Sequence, residues 1–254
     1  MGDIMAINIS NILCVFGVKG GIGKSVLVMN LAGVLSNIKK RVLILDADLY
    51  GGSIAIALNK VVENTIYNFV DDYNNNRYKN LNDYITSYNE YIDFVAAPID
   101  PRKANKIDSR YIEILLDKAK FNYDLIIIDT NHILNEINLS ILDKSDKVLF
   151  VTTNDSFDIK NMRNLISIFK DLGIDKYRVL LNNSIRKSRE YFSLYDIKSV
   201  IKTNIDYELR EYIDNIDKFI LDGKILSLDK KYMSTKDYKV MEDIVDYSMR
   251  YDYE

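Results

Sequence analysis

Six short, nearly unbroken apolar runs constrain this chain more than any other feature: Ile12–Phe16, Val42–Leu45, Phe94–Ala97, Leu125–Ile128, Val148–Thr152 and Val179–Leu181. Continuous rather than alternating apolarity is what a strand needs when both of its faces are covered, as in a parallel sheet between helices. The segments between the runs have helical period. Ser25–Ile38 places Leu27, Leu31, Val34, Leu35 and Ile38 on one face, and Ser109–Lys120 does the same with Ile112, Leu115, Leu116 and Ala119. Ser156–Leu172 opens on an Asp155-Ser156 cap signal and carries Ile159, Met162, Leu165, Ile166 and Phe169. This alternation predicts an α/β fold, a doubly wound, mostly parallel sheet flanked by helices. Residues 60–90, rich in Tyr, Asn and Asp, predict two short helices about a polar turn at Asn74–Asn76, and residues 195–254 predict a mainly helical, more polar end. With no internal repeat and no low-complexity linker, the expectation is one domain over residues 1–254, its motifs lying between residues 11 and 185.

Composition excludes several function classes. Against 34 Lys and Arg stand 37 Asp and Glu, a net charge of −3, which argues against a nucleic-acid protein relying on a strongly basic face. One cysteine, Cys14, excludes an internal disulfide framework or a Cys-rich metal centre, and one histidine, His132, excludes a multi-histidine site. No stretch approaches the roughly 20 apolar residues of a spanning helix. Met1–Ser10 carries Asp3 and no basic run, unlike a signal peptide, so the expected address is the cytoplasm.

The first apolar run leads into Gly17-Val18-Lys19-Gly20-Gly21-Ile22-Gly23-Lys24-Ser25, which opens the first helical segment. A glycine-rich turn between strand and helix lets backbone amides wrap phosphates at a positive helix N-terminus. The amides of Gly20, Gly21, Ile22, Gly23, Lys24, Ser25 and Val26 are the candidate cradle. Lys24 is placed to reach the β- and γ-phosphates, and the Ser25 hydroxyl to ligate Mg²⁺. Val18 stands where the generic phosphate-loop pattern has glycine, and an additional lysine, Lys19, precedes the glycine pair.

Three carboxylates complete the pattern. Asp46 and Asp48 follow the second run, where parallel sheets bind ligands, and project to the same side if the strand continues that far. Asp129 ends the run Leu125–Ile128, the Walker B arrangement whose aspartate holds Mg²⁺ through water. Lone His132 reads as a capping or surface histidine, with a switch role as the alternative. Asn182, at the end of the Val179–Leu181 run, can pair with a base edge as donor and acceptor together, or serve in a turn.

The stretch Lys19-Gly20-Gly21-Ile22-Gly23-Lys24-Ser25 resembles the deviant Walker A motif of the MinD/ParA superfamily. The resemblance implies ATP and Mg²⁺ as ligands, slow hydrolysis, and an ATP-sandwich homodimer in which Lys19 crosses to the partner's phosphates. It further implies that Asp46 and Asp129 support the metal, that Asp48 positions the attacking water, and that Asn182 contacts adenine. Asp46–Ser53 followed by Ile54–Leu58, Val95–Pro101, Asp129-Thr130-Asn131-His132 and Asp222–Leu226 are similar to segments of the CpaE/TadZ branch, with Asn131 in place of a proline. That branch localises pilus or secretion machinery, so a protein partner in such a machine, and recruitment to a pole or membrane complex through it, are the implied role. The branch's N-terminal receiver-like domain has no counterpart ahead of the first run.

Other readings differ in what they demand. A MinD- or FlhG-type placement ATPase needs a basic amphipathic C-terminal helix, whereas Lys236–Tyr253 is dominated by Asp237, Glu242, Asp243, Asp246 and Asp252. A ParA-type DNA segregation ATPase needs a basic surface, but Lys39-Lys40-Arg41, Arg186-Lys187-Arg189 and Lys230-Lys231 are small and dispersed. A bacterial tyrosine kinase places arginine and proline after its paired aspartates, where Tyr50 and Gly51 stand, and its terminal tyrosine cluster is matched only by Tyr247, Tyr251 and Tyr253 among 19 tyrosines. The segment after Asp129 also admits a scaffold that holds ATP and barely hydrolyses it.

Overall fold

Successive side chains of a strand point to opposite faces, which accounts for the unbroken runs. In β1 (Asn11–Phe16), Ile12, Cys14 and Phe16 enter one core while Leu13 and Val15 enter another. The computed structural model describes residues 10–184, 191–210 and 216–250. Within them the chain continues through β2 (Val42–Ala47), β3 (Thr86–Ser87), β4 (Ile92–Val95), β5 (Leu125–Thr130), β6 (Lys147–Thr152), β7 (Tyr177–Asn182) and β8 (Tyr207–Leu209). They form one sheet in the order β3-β4-β2-β5-β1-β6-β7-β8, parallel throughout except for β3 against β4.

The helices are α1 (Lys24–Asn37), α2 (Ile54–Ala57), α3 (Ile66–Asn74), α4 (Ser109–Ala119), α5 (Glu136–Lys144), α6 (Ser156–Asp171), α7 (Leu194–Ile201), α8 (Ile216–Leu221) and α9 (Lys236–Met249). Helices α3 to α7 cover the face carrying Phe16, and α1, α2, α8 and α9 cover the other. The chain leaves central β1 toward β2 on one side and later returns to β6 on the other. The crevice at the carboxyl ends of β1 and its neighbours is therefore the switch point where such sheets bind ligands.

Three expectations need correction. The run Phe94–Ala97 is not one strand: β4 ends at Val95, because the Ala96 carbonyl accepts the Ile66 amide at the start of α3 (2.9 Å). Its first half is hidden in sequence by Asp93, whose carboxylate accepts the Tyr123 hydroxyl (2.9 Å) beside Arg41 (3.5 Å). Helix α1 is buried on more than one face, since α9 and a 3₁₀ turn at Leu226–Leu228 cover its outer side. The end of the chain is also interrupted by a strand, β8, too short to show a period.

Helix α9 buries Tyr238, Met241, Ile244 and Val245 in the core shared with α1. Its apolar stripe is thus used inside the molecule, and none of the helices among the described residues is long and apolar enough to cross a membrane. Arg186, Lys187, Arg189, Tyr251, Asp252 and Tyr253, and nearly all of Met1–Ser10, lie outside the described residues.

Candidate functional site

The glycine loop leaves β1 at Phe16 and enters α1 at Lys24. Gly23 caps the helix at φ 84°, a left-handed conformation that favours glycine. No side chain caps α1 and its first turn carries no acid, whereas Asp108, Asn135, Asp155, Ser193 and Thr235 cap α4, α5, α6, α7 and α9. Those uncapped amides, at the positive end of the helix dipole, are what an anion requires.

Lys24 is 8% exposed, and its ammonium has a distant partner in the Lys19 carbonyl (3.4 Å). Burial lowers its pKa, opposed by the charges of Asp129, Asp48 and Asp158. Asp46 and Asp129 sit opposite each other in the β2–β5 register, both fully buried. One Asp46 oxygen accepts the Ile54 amide that opens α2 (3.1 Å); the other, and both oxygens of Asp129, have no hydrogen-bond partner. Burial, then the neighbouring Asp129, holds Asp46 well above the usual carboxylate range. Burial pushes Asp129 up to about 6, opposed by the nearby Ser25 hydroxyl, which falls short of full hydrogen-bond geometry, and by Lys24.

These orphaned oxygens fit a cation. Among the described residues no three His, Cys, Asp or Glu side chains converge to hold a metal by themselves, so the ion would need further oxygens. A small, hard cation such as Mg²⁺ takes few carboxylates together with water and phosphate. Asp46, Asp129 and Ser25 are the residues that fit it.

Strand β2 ends at Ala47, so the shared projection of Asp46 and Asp48 does not hold. Asp48 instead opens a turn closed by the Gly51 amide (3.3 Å to its Oδ1) and lines the cleft. That cleft, about 440 Å³, is bounded by the glycine loop, Asp48, Thr130–His132, Asn182 and the C-terminal residues Leu226 and Tyr232. Val26 lines it as well. Lys19 points elsewhere, pairing with Asp155 at the α6 N-terminus (3.2 Å, both about two-fifths exposed: 44% and 39%). Asn182 is already engaged: its Nδ2 donates to the Ile22 carbonyl (3.0 Å) and its Oδ1 accepts from the amide and hydroxyl of Ser184 (3.1 and 2.6 Å).

Two asparagines escaped the sequence reading. Asn131 Oδ1 accepts the Ile133 amide (2.9 Å) and Asn138 Nδ2 (2.7 Å), and Asn138 also donates to the Ile133 carbonyl (2.7 Å). The replacement of proline by Asn131 was the visible signal; Asn138, seven residues on, carried none.

A model described as an AAA domain matches residues 10–187. The Bacillus subtilis sporulation initiation inhibitor protein Soj is 25% identical over 221 residues, 83% of each chain. The tyrosine-protein kinase wzc of Salmonella typhi is 26% identical over 195 residues, 72% of this chain but 25% of its own, so this chain spans about a quarter of that relative. Among solved structures, a ParA family ATPase from Chlorobium tepidum TLS aligns with TM-score 0.81 and 20% identity over 95% of this chain and all of its own (100%). The septum site-determining protein MinD of Pyrococcus horikoshii, solved with Mg-ADP, aligns with TM-score 0.76 and 20% identity over 94% of each. At such identities the structures bear on the fold. Together with the matched domain and the glycine loop they make the chain an ATP-binding P-loop protein that belongs to the MinD/ParA family of ATPases.

Proposed function

We propose that this protein is a magnesium-dependent ATP switch that dimerises around its nucleotide, hydrolyses it slowly and positions a partner machine. The observation that carries this is the joining, at one sheet edge, of an uncapped α1 N-terminus with two buried carboxylates, three of whose four oxygens lack hydrogen-bond partners. Lys24 and the loop amides hold phosphate charge, Asp46, Asp129 and Ser25 hold the cation, and Asp48 in the cleft positions water. Bound Mg²⁺ would supply neutralisation of phosphate charge.

Dimerisation is supported by one subset of the large exposed apolar side chains. Tyr50, Ile99, Ile133, Phe157, Phe192 and Tyr195 follow β2, β4, β5, β6 and β7 and so gather at the carboxyl edge that holds the cleft. A ring of that kind marks an interaction surface. A second copy facing it would bring its own Lys19 to the first copy's phosphates, after release from Asp155.

The sequence resemblance favours pilus or secretion machinery of the CpaE/TadZ kind as the partner. Placement of division or flagellar machinery, the first of which the name septum site-determining protein denotes for MinD, is the second reading. DNA binding gains little from Lys40 and Arg41, which pair with Asp124 and Asp93. Light scattering with Mg²⁺ and no nucleotide, ADP or ATP tests the switch on wild type, Asp48→Ala and Lys19→Ala. The expected result is a dimer with ATP, trapped in Asp48→Ala and lost in Lys19→Ala. A monomer in every state despite measured ATP binding refutes the sandwich, and label retained on tyrosine from labelled ATP would make the protein a kinase.

A further inference from the structure

We propose that His132 is a ligand of the γ-phosphate, through which the site tells a triphosphate from a diphosphate. This rests on the cleft being an ATP site. The turn that carries His132 is held from both flanks. Asn131 Oδ1 reaches over His132 to the Ile133 amide, and Asn138, fully buried on α5, ties both flanking residues with its one amide nitrogen. The Ile133 carbonyl and the Asn131 side chain, which flank the histidine, are thus both held by a helix, while among the described residues the imidazole has no hydrogen-bond partner.

The imidazole is presented to the glycine loop. A Cβ on Gly20 would lie 3.7 Å from His132 Nδ1 and 3.8 Å from Cε1. His132 lines the cleft together with Gly20, Gly21, Lys24 and Asp48. His132 thus stands against the loop residue next to the Lys19 carbonyl that the Lys24 ammonium reaches (3.4 Å), and Lys24 is the side chain that would hold the terminal phosphates. An imidazole always offers at least one N–H donor. There it would bond an oxygen that a diphosphate does not possess. Asn138 is a positioning residue: it touches neither nucleotide nor metal and acts by holding the turn.

Because His132 is the one histidine in the chain, its ring is a single reporter in a ¹H–¹⁵N or ¹H–¹³C spectrum of the full-length protein. The expected result is a shift of the imidazole resonances with Mg²⁺ and a non-hydrolysable ATP analogue, and resonances near their unliganded positions with Mg²⁺ and ADP. In calorimetry, His132→Ala should weaken the analogue about tenfold, the size of one charge-assisted hydrogen bond, and leave ADP unchanged. Asn138→Ala should reproduce the loss and abolish the imidazole response, which a purely structural effect on affinity would not do. Equal imidazole spectra with both nucleotides bound, or equal losses for both in His132→Ala, would overturn the proposal. If neither nucleotide binds wild-type protein, the ATP site itself is wrong and this assignment falls with it.

Discussion

Asp129→Asn should make the nucleotide-free protein more stable at neutral pH, although it removes a residue central to the site. Asp129 is fully buried, its oxygens are unpartnered, and its pKa is pushed up to about 6 from 3.8. Its ionised form is therefore a net cost in the folded state. The difference, about two pKa units at roughly 1.4 kcal/mol each, sets an upper limit of about 3 kcal/mol. Lys24 would lose the support of the Asp129 charge, so a gain on the order of 1–2 kcal/mol is expected. The sign with pH follows from the raised pKa. Wild type suffers no penalty near pH 3, where the carboxyl is protonated folded and unfolded; the penalty grows as pH rises from about 3.8 and is full above about pH 6. The variant's advantage should be absent near pH 3 and complete by pH 7. Thermal unfolding followed by circular dichroism, with chelator present, measures this as a rise of roughly 3 °C per kcal/mol for a chain of this size. The same variant should lose the stabilisation that Mg²⁺ and ATP give wild type. A variant less stable than wild type at pH 7 without ligand would refute the claim that these oxygens lack compensation.

Other positions give separate tests. Gly33 faces the 3₁₀ turn so closely that a Cβ would lie 2.1 Å from Ser227 Oγ and 2.7 Å from Ile225 Cγ2. Ser227 is itself held by Asn30 (2.8 and 2.7 Å), so Gly33→Ala should cost about 1–3 kcal/mol in urea unfolding, and an unchanged midpoint would contradict the close approach. Asp155 caps α6 through the Phe157 and Asp158 amides, so Asp155→Ala should cost about 1 kcal/mol. Asp155→Asn keeps an acceptor and should cost under about 0.5 kcal/mol, since its pairing with Lys19 is solvent-exposed. Asn182→Ala should weaken ATP, ADP and GTP alike if the side chain acts by anchoring the Ile22 carbonyl; a loss confined to adenine nucleotides would instead make it a base reader.

Burial on two faces made the central strands legible, because such strands leave no polar alternation to confuse with anything else. β1, β5 and β6 run where their apolar residues run. The misread elements are those in which a polar residue is satisfied by a distant partner. Asp93 breaks the apolar run of β4, yet Tyr123, thirty positions away in sequence, makes its burial tolerable. Helix α1 looked one-sided because only Leu27, Leu31, Val34, Leu35 and Ile38 share the apolar face, while Asn30 and Asn37 are polar. In the fold their side-chain amides hold Ser227, nearly two hundred residues on, with Asn30 buried and Asn37 half-buried beneath it. Local pattern cannot show a partner that only the fold brings near.

The site was legible for a different reason: its chemistry requires residues that the fold alone would reject. Amides at the start of α1 stand without a cap, and two acids stand side by side in the sheet without an ion-pair partner. Positive and negative groups do not satisfy each other here, since Lys24 reaches a carbonyl rather than forming an ion pair with either acid. An anion by itself would compensate the loop and leave the acids buried; a cation by itself would compensate the acids and leave the loop amides empty. Mg²⁺ with a nucleotide carries both signs in one ligand. The stabilisation from the two together should therefore exceed the sum of each added separately, and additive shifts in melting temperature would mean that the loop and the acids are independent sites rather than two halves of one.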